Sequence, residues 1–175
     1  MRGRSQFIGS AGQYYLAYCL TVRGFHAAIT LGNVPNVDIV VASPDGSRLL
    51  AVQVKTSRWA YRPNRYGYEM REWDVGASAV GRSAEGLWYA FIDLQEADDQ
   101  RSPIVYFVPS VWVSNMVKHD WSRKMYMLRS VLWPDCEERW DRISAYLDNE
   151  SKTIAWCQTV PGQAQWPPDD ASALS

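Results

Sequence analysis

Apolar positions along the chain change their period several times, and each change marks an element. From Ser10 to Arg23 they recur at helical spacing, with Ala11, Tyr14, Tyr15, Tyr18 and Val22 on one stripe and Leu16 and Leu20, beside Gln13, on another face. Ser10 can cap this helix over residues 10–23, and Arg23-Gly24 supplies its stop. Apolar residues on two faces imply a helix covered on two sides. Phe25 to Leu31 predicts a short strand, followed by the loop Gly32-Asn33-Val34-Pro35-Asn36.

The strongest pattern comes next. Two runs rich in β-branched residues, Val37 to Ala42 and Arg48 to Lys55, flank Pro44-Asp45-Gly46-Ser47 and predict a hairpin. Residues 57–72 mix rings, cations, Gly and Pro and read as an irregular excursion, with a weak helical stretch over roughly 74–84. Leu87 to Leu94 and Ile104 to Val108 predict two more strands across an acidic loop. Pro109-Ser110 opens a helix through Lys118 with Ser110 as its cap, and Pro134 to Asn149 predicts another. Strands alternating with helices make this an α/β chain: one domain over 1–175, with a core over 5–110, a helical extension over 111–160 and a flexible tail over 161–175.

Composition narrows the class only slightly. A length of 175 residues, 47% apolar and 21% charged, fits one soluble domain, expected in the cytoplasm. The net charge of -1 argues against a protein that coats nucleic acid indiscriminately, but leaves room for a local basic patch. Cys19, Cys136 and Cys157 are too far apart for zinc-ligand spacing. The N-terminal Met-Arg-Gly-Arg-Ser-Gln-Phe has no apolar run behind it, which argues against a signal peptide, and no stretch reaches the length of a membrane span.

Register turns the hairpin into a candidate site. A symmetric turn at Asp45-Gly46 sets Asp38 opposite Gln53, and Lys55 lies two residues farther along the same face. A carboxylate, an amide and an ammonium then meet at one end of the hairpin. Asp38, the Gln53 amide oxygen and the Val54 carbonyl offer oxygen ligands to a hard divalent cation, and Lys55 can stabilise developing charge on a phosphate. The same residues also suit a surface ion pair between Asp38 and Lys55 with Gln53 as a polar neighbour.

Gly9-Ser10-Ala11-Gly12-Gln13-Tyr14-Tyr15, then Val37-Asp38-Ile39-Val40, then Val52-Gln53-Val54-Lys55-Thr56-Ser57 together resemble the PD-(D/E)XK nuclease superfamily over about residues 5–110. The Gln-x-Lys form is similar to that of Mrr-type endonucleases, and the first helix to that of Holliday-junction-resolvase relatives. The resemblance implies a restriction-endonuclease-like αβββαβ core with a mixed sheet flanked by helices. It further implies a Mg²⁺- or Mn²⁺-dependent endodeoxyribonuclease, with Asp38, Gln53, Lys55 and Gln13 as catalytic residues and Asp38, Gln53 and Val54 at the metal. Gln13 stands where relatives commonly carry Glu, and Gln53 is a second amide, so a silent nucleic-acid-binding or assembly module is the alternative. Glu69, Glu72 and Asp74 are candidates for a migrated carboxylate.

Cations and rings interleave just after this strand, and Arg58, Trp59, Arg62, Arg65 and Tyr66 are the expected DNA contacts. The same residues also suit a solvated excursion whose rings pack on the domain. Trp133 and Trp140 read as core or dimer contacts, which keeps a homodimer among the expected partners.

Overall fold

A computed structural model describes residues 2–31, 36–65, 68–76, 79, 81–96, 100–117, 124–128 and 133–160. The first helix, α1 (Arg2–Thr21), starts a full two turns before the expected cap at Ser10. The residues ahead of Ser10 contain no proline and no helix breaker beyond the isolated Gly3 and Gly9, so the helix continues through them. Its end is as expected: Gly24 adopts φ +89, and the Phe25 N–H reaches back to the Leu20 carbonyl at 3.1 Å, closing the last turn.

Strands β1 (His26–Ile29), β2 (Ile39–Ala42) and β3 (Leu49–Ser57) then form an antiparallel meander. The segment expected to be irregular up to residue 72 is instead ordered as β4 (Tyr61–Arg65) and β5 (Tyr68–Asp74), an antiparallel pair. The helix expected over roughly 74–84 is absent from its described residues, where Asp74 ends β5 and Val75 is buried in the second core cluster. Tertiary packing wins here over weak helical propensity. Chain returning from this excursion enters β6 (Leu87–Asp93), which pairs parallel to β3, and then β7 (Ile104–Pro109), antiparallel to β6.

The result is a mixed five-stranded sheet in the order β1-β2-β3-β6-β7, flanked by helices. All seven residues of β6 are buried, because both faces of the sheet are covered at its centre. On one face Leu50, Val52 and Val54 of β3 pack with Ile39 and Val41 against Leu16 and Leu20 of α1. On the other, Tyr89 and Phe91 pack with Trp73, Tyr106, Val108 and Trp112.

The C-terminal part is not purely helical. After α2 (Ser110–Met116), strand β8 (Lys124–Leu128) pairs antiparallel with β5, so a three-stranded sheet β4-β5-β8 covers the second face. Ser110 is not a cap but the first helical residue; its buried hydroxyl accepts the Ala84 N–H and donates to the Ala84 carbonyl. The single helix expected over Pro134–Asn149 is divided into α3 (Trp133–Cys136) and α4 (Trp140–Leu147). Glu138 causes the break: at φ +53 its N–H donates to the Val105 carbonyl at 2.8 Å, and its carboxylate accepts the Val105 N–H at 2.7 Å. The last helix, α5 (Ser151–Gln158), lies against α2 and α4. No helix among the described residues is long and apolar enough to cross a membrane.

Candidate active site at the end of the hairpin

The β2–β3 ladder runs from Ala42↔Leu49 to Ile39↔Val52, the register a symmetric turn demands. Its turn is wider than two residues, since the Ser43 N–H closes onto the Arg48 carbonyl at 3.0 Å around Pro44-Asp45-Gly46-Ser47. Asp45 organises this loop by accepting the Ser43 hydroxyl, the Ser47 hydroxyl and the Ser47 N–H. Those donors, the Ser43 hydroxyl first, hold its carboxyl at about 2. Adding one residue on each side of Asp45-Gly46 leaves every cross-strand pair unchanged.

Asp38 stands one residue beyond the ladder. Its N–H donates to the Val52 carbonyl at 2.9 Å, so the strands begin to part there instead of continuing to a paired Gln53. The side chain then does what the backbone does not: Oδ2 accepts the Val54 N–H at 2.7 Å. Oδ1 accepts the Gln13 side-chain amide at 3.0 Å, which joins the hairpin to α1. By strand alternation the Val54 carbonyl points to the same edge as its N–H, beside the Asp38 carboxylate.

Gln53 and Lys55 alternate with Val52 and Val54 on β3 and therefore take the opposite face of the strand, over Tyr89 and Phe91. The Gln53 Oε1 is buried and has no hydrogen-bond partner, a costly state for an acceptor. Lys55 is half-buried, and burial lowers its pKa from the ordinary lysine value while the nearby Asp38 charge partly opposes that fall. Asp38, Val54, Gln13 and Lys55 are thus tied by bonds or charge at one end of the hairpin, while Gln53, between Val52 and Val54 in sequence, turns its side chain to the face opposite that of the two valines.

A glycine sets how closely α1 approaches. A Cβ on Gly12 would lie 2.0 Å from Thr56 Oγ1 and 3.0 Å from Thr56 Cβ, so only glycine lets the helix rest on β3 at this point. Gln13, the next residue, reaches Asp38 because of that contact.

The basic and aromatic segment is more structural than its sequence suggests. Arg58 pairs with Glu96 at the surface. Arg62 folds back to donate to the Trp59 and Tyr61 carbonyls at 2.8 and 3.0 Å, and Trp59 meets Tyr61 edge to face. Arg65 belongs to β4, and Tyr66 lies outside the described residues. Arg71 is buried: its Nε donates to Asp93 at 3.0 Å and its guanidinium stacks over Trp133 at 4.3 Å. Trp133 is therefore an internal contact, as is Trp140, which packs edge to face on Phe107 with Arg23 over its ring. Of the acids expected as candidates for a migrated ligand, Glu69 accepts the Tyr61 hydroxyl, Glu72 is paired with Lys124, and Asp74 is exposed at the end of β5.

Neither protein-family models, nor curated proteins, nor solved structures contain a match to this chain. The site must be judged on its own atoms.

Among the described residues, no three His, Cys, Asp or Glu side chains come together. What this end of the hairpin brings together is oxygen from Asp38 and, along the same strand edge, the Val54 carbonyl. Each Asp38 oxygen receives one hydrogen bond, and a carboxylate has about four lone-pair positions, so it keeps capacity for a metal. Gln53 Oε1 is buried without a hydrogen-bond partner, and so is the hydroxyl of Tyr89, its neighbour in register on β6. The donor set fits a weakly held metal carrying one formal ligand charge. Sequence reasoning missed two supports of this region. The Gly12–Thr56 contact has no local signature beyond a glycine in a helix. The Arg71–Asp93 pair joins residues 22 apart in the chain, with no local pattern to link them.

Proposed function

We propose that this chain is a metal-dependent endodeoxyribonuclease of the PD-(D/E)XK type, with the β2–β3 hairpin as its catalytic element. The observation that carries this reading is the convergence of Gln13, Asp38, Val54 and Lys55, with Asp38 accepting both the Val54 N–H and the Gln13 amide beside the depressed Lys55. A surface ion pair does not account for it, since that reading leaves the buried Gln53 oxygen and the half-buried Lys55 unexplained. The order helix, three-stranded meander and parallel fourth strand is consistent with a restriction-endonuclease-like core, although β3 leads to β6 through a β-hairpin where that core has a helix.

Asp38, Gln53 and the Val54 carbonyl would hold Mg²⁺ or Mn²⁺, whose chemistry at such a site is polarisation of the scissile phosphate and a lowered pKa for bound water. The residues themselves have separable duties. Among the described residues Asp38 brings the only carboxylate at the site, and it is oriented by the Val54 N–H and Gln13. Lys55 as an ammonium faces the phosphate and stabilises the charge that grows on its oxygens in the transition state. Gln13 holds one Asp38 oxygen and, with its amide reversed, would present an oxygen to the metal. Arg58 and Trp59, which follow β3 directly in the chain, would meet a phosphate backbone or an unpaired base.

A second reading has its own support. Two amides stand where carboxylates would strengthen metal binding, and Gln13 spends its donor on Asp38, so a silent nucleic-acid-binding relative would look much the same. Cleavage of double-stranded, single-stranded and branched DNA with Mg²⁺ and with Mn²⁺ decides between them. The nuclease reading expects cleavage with at least one metal that disappears in Asp38→Ala and Lys55→Ala. No cleavage by the wild type on any substrate, with DNA binding retained, would assign the chain to the binding module.

A further inference from the structure

We infer that the pocket at the carboxyl ends of β3 and β6 holds one unpaired nucleobase of DNA, which makes single-stranded, bulged or branched DNA the substrate class. The inference rests on the reading of this chain as a DNA-acting protein with its site at the β2–β3 hairpin. β3 and β6 run parallel, so their carboxyl ends open to the same side, where ligands gather in open α/β sheets. Pairing carries on past both strands: the Leu94 N–H donates to the Ser57 carbonyl at 2.9 Å, and the Glu96 N–H to the Arg58 carbonyl at 3.0 Å. Arg58 and Glu96 are thereby set side by side, and their side chains pair through Nε and Oε2.

The early turns of α1 form the other wall. Ile8 and Phe7 stand three and four residues before Ala11, so the three share a helix face. With Arg58 and Glu96 they line a cavity of about 340 Å³. That volume falls in the range of small-ligand sites, roughly 300–1,000 Å³. The pocket lies on the same side of the sheet as the bond between Gln13 and Asp38. Val54 packs with Leu16 and Leu20 of α1, Thr56 meets Gly12, and Arg58, two residues on, keeps that side. Four residues of strand put it about 13 Å along from Val54.

The chemistry of this pocket suits a base better than a phosphate. Phe7 is 78% exposed and offers an open ring, on which any base can stack. Glu96 repels a phosphate, whereas its carboxylate accepts from the N–H groups of a base. Arg58 donates beside it. Among the described residues the pair engages only Arg58 Nε and Glu96 Oε2, and the two side chains are 47% and 37% exposed. The Nη donors and the second carboxylate oxygen are therefore open to a ligand. A donor next to an acceptor matches the Watson–Crick edge of every base, and stacking plus that edge is how proteins hold bases taken out of a helix. The edge is free only when the base is unpaired, so the pocket excludes intact duplex and tolerates any sequence.

Binding, read without cleavage, tests it. Fluorescence anisotropy in EDTA and in Ca²⁺ compares three labelled duplexes of one sequence: fully paired, carrying a one-nucleotide bulge, and carrying the same bulge as an abasic residue. The full chain should bind the bulged duplex roughly tenfold more tightly than the paired one, and the abasic bulge should lose that gain. Phe7→Ala should lose it too, with an unchanged circular dichroism spectrum, while Phe7→Trp keeps it. Arg58→Met with Glu96→Leu should weaken binding of the bulged base and leave the abasic duplex unaffected. Equal affinity for the three duplexes would overturn the inference, and so would a preference that survives both Phe7→Ala and the paired change. Cleavage with Mn²⁺ by a protein that shows no such preference would leave the nuclease reading standing and remove the base pocket. A preference that depends on Phe7 in a protein that cleaves nothing would keep the pocket and remove the nuclease.

Discussion

The Asp38 carboxylate accepts the Val54 backbone N–H at 2.7 Å, replacing with a side chain the main-chain partner that β2 no longer supplies beyond Ile39. Removing that carboxylate has a folding cost separate from any catalytic one. Asp38→Ala leaves the Val54 N–H and the Gln13 amide without their acceptor, and each unsatisfied group costs about 1–3 kcal/mol where water does not replace it. Urea denaturation should show a loss of that order, and Asp38→Asn, which keeps one acceptor oxygen, a smaller one. Equal stability of Asp38→Ala and wild type would mean that solvent reaches both donors and that the bond is incidental.

Contact between α1 and β3 at Gly12 makes a sharper test of how the fold positions the site. Gly12→Ala puts a methyl 2.0 Å from Thr56 Oγ1 and 2.9 Å from its Cγ2. The helix must move off the strand, at a cost of roughly 1–3 kcal/mol as for other overpacked positions, and Gln13 moves with it. Adding Thr56→Ala removes the hydroxyl and the methyl and should recover part of the loss. The coupling appears in a double-mutant cycle of melting temperatures, and additive effects would rule out the close approach.

Much of this was legible beforehand because it follows from periodicity. The β2–β3 register follows from alternation on both sides of Asp45-Gly46, and a four-residue loop of the same symmetry gives the same pairs. The α1 stop at Gly24 and the two central strands follow from equally local signals. What could not be read depends on distant partners. Tyr61–Arg65 and Tyr68–Asp74 become strands because they have β8 and the second face of the main sheet to pack on. Ser110 is drawn from capping to bonding Ala84, and Glu138 splits a helix in order to pair with Val105. At the site, the sequence pointed to Asp38, Gln53 and Lys55 as one group. It gave no sign that Asp38 would be shared between Val54 and Gln13, because that depends on where β2 ends.

Lys55 gives a pH prediction with a definite sign. Burial lowers its folded-state pKa below the unfolded value of 10.5. Between the folded value and 10.5 the unfolded chain therefore binds the proton more readily, and stability contributed by this group rises with pH across that window. Lys55→Met should remove this rise while leaving the metal-free protein at least as stable near neutral pH. Titration of dimethylated Lys55 by NMR reads the shift directly, and a value at or above 10.5 would contradict the desolvated placement. Cleavage should respond in the opposite sense, falling as Lys55 loses its proton.

Arg71 and Asp93 clamp the second sheet to the first. Their side chains are 9% and 0% exposed, and Asp93 also accepts the Ala60 and Gln95 N–H groups at 3.1 Å. Asp93→Ala strands a buried guanidinium and two amides, so a loss of about 3–5 kcal/mol is expected in denaturant melts. Replacing both partners, as Arg71→Met with Asp93→Leu, should cost less than the single change, because no charge is left unpaired. The reverse order would mean that the backbone bonds to Asp93 outweigh the ion pair.

The amides at the proposed metal site make the most discriminating case. Gln53 Oε1 is buried without a donor, so in the metal-free protein Gln53→Leu should be neutral or stabilising by up to about 1 kcal/mol. The same change should abolish any stabilisation by Mg²⁺ or Mn²⁺, because ligand binding stabilises only while the site can hold the ion. Gln53→Glu works in the other direction. It adds a carboxylate ligand and should tighten Mg²⁺ binding by roughly tenfold or more in calorimetry, equivalent to about 1.4 kcal/mol. Without metal it places a second negative charge beside Lys55, whose pKa should then rise from its depressed value. Gln13→Glu should behave differently, since it exchanges a donor to Asp38 for a repelling carboxylate and so destabilises the metal-free protein while strengthening the metal site. Thermal melts of the wild type and the three variants, with and without Mn²⁺, separate these outcomes. A wild type insensitive to metal, together with a Gln53→Glu variant that gains no metal response, would remove Gln53 from the site and leave Asp38 as a structural cap for Val54.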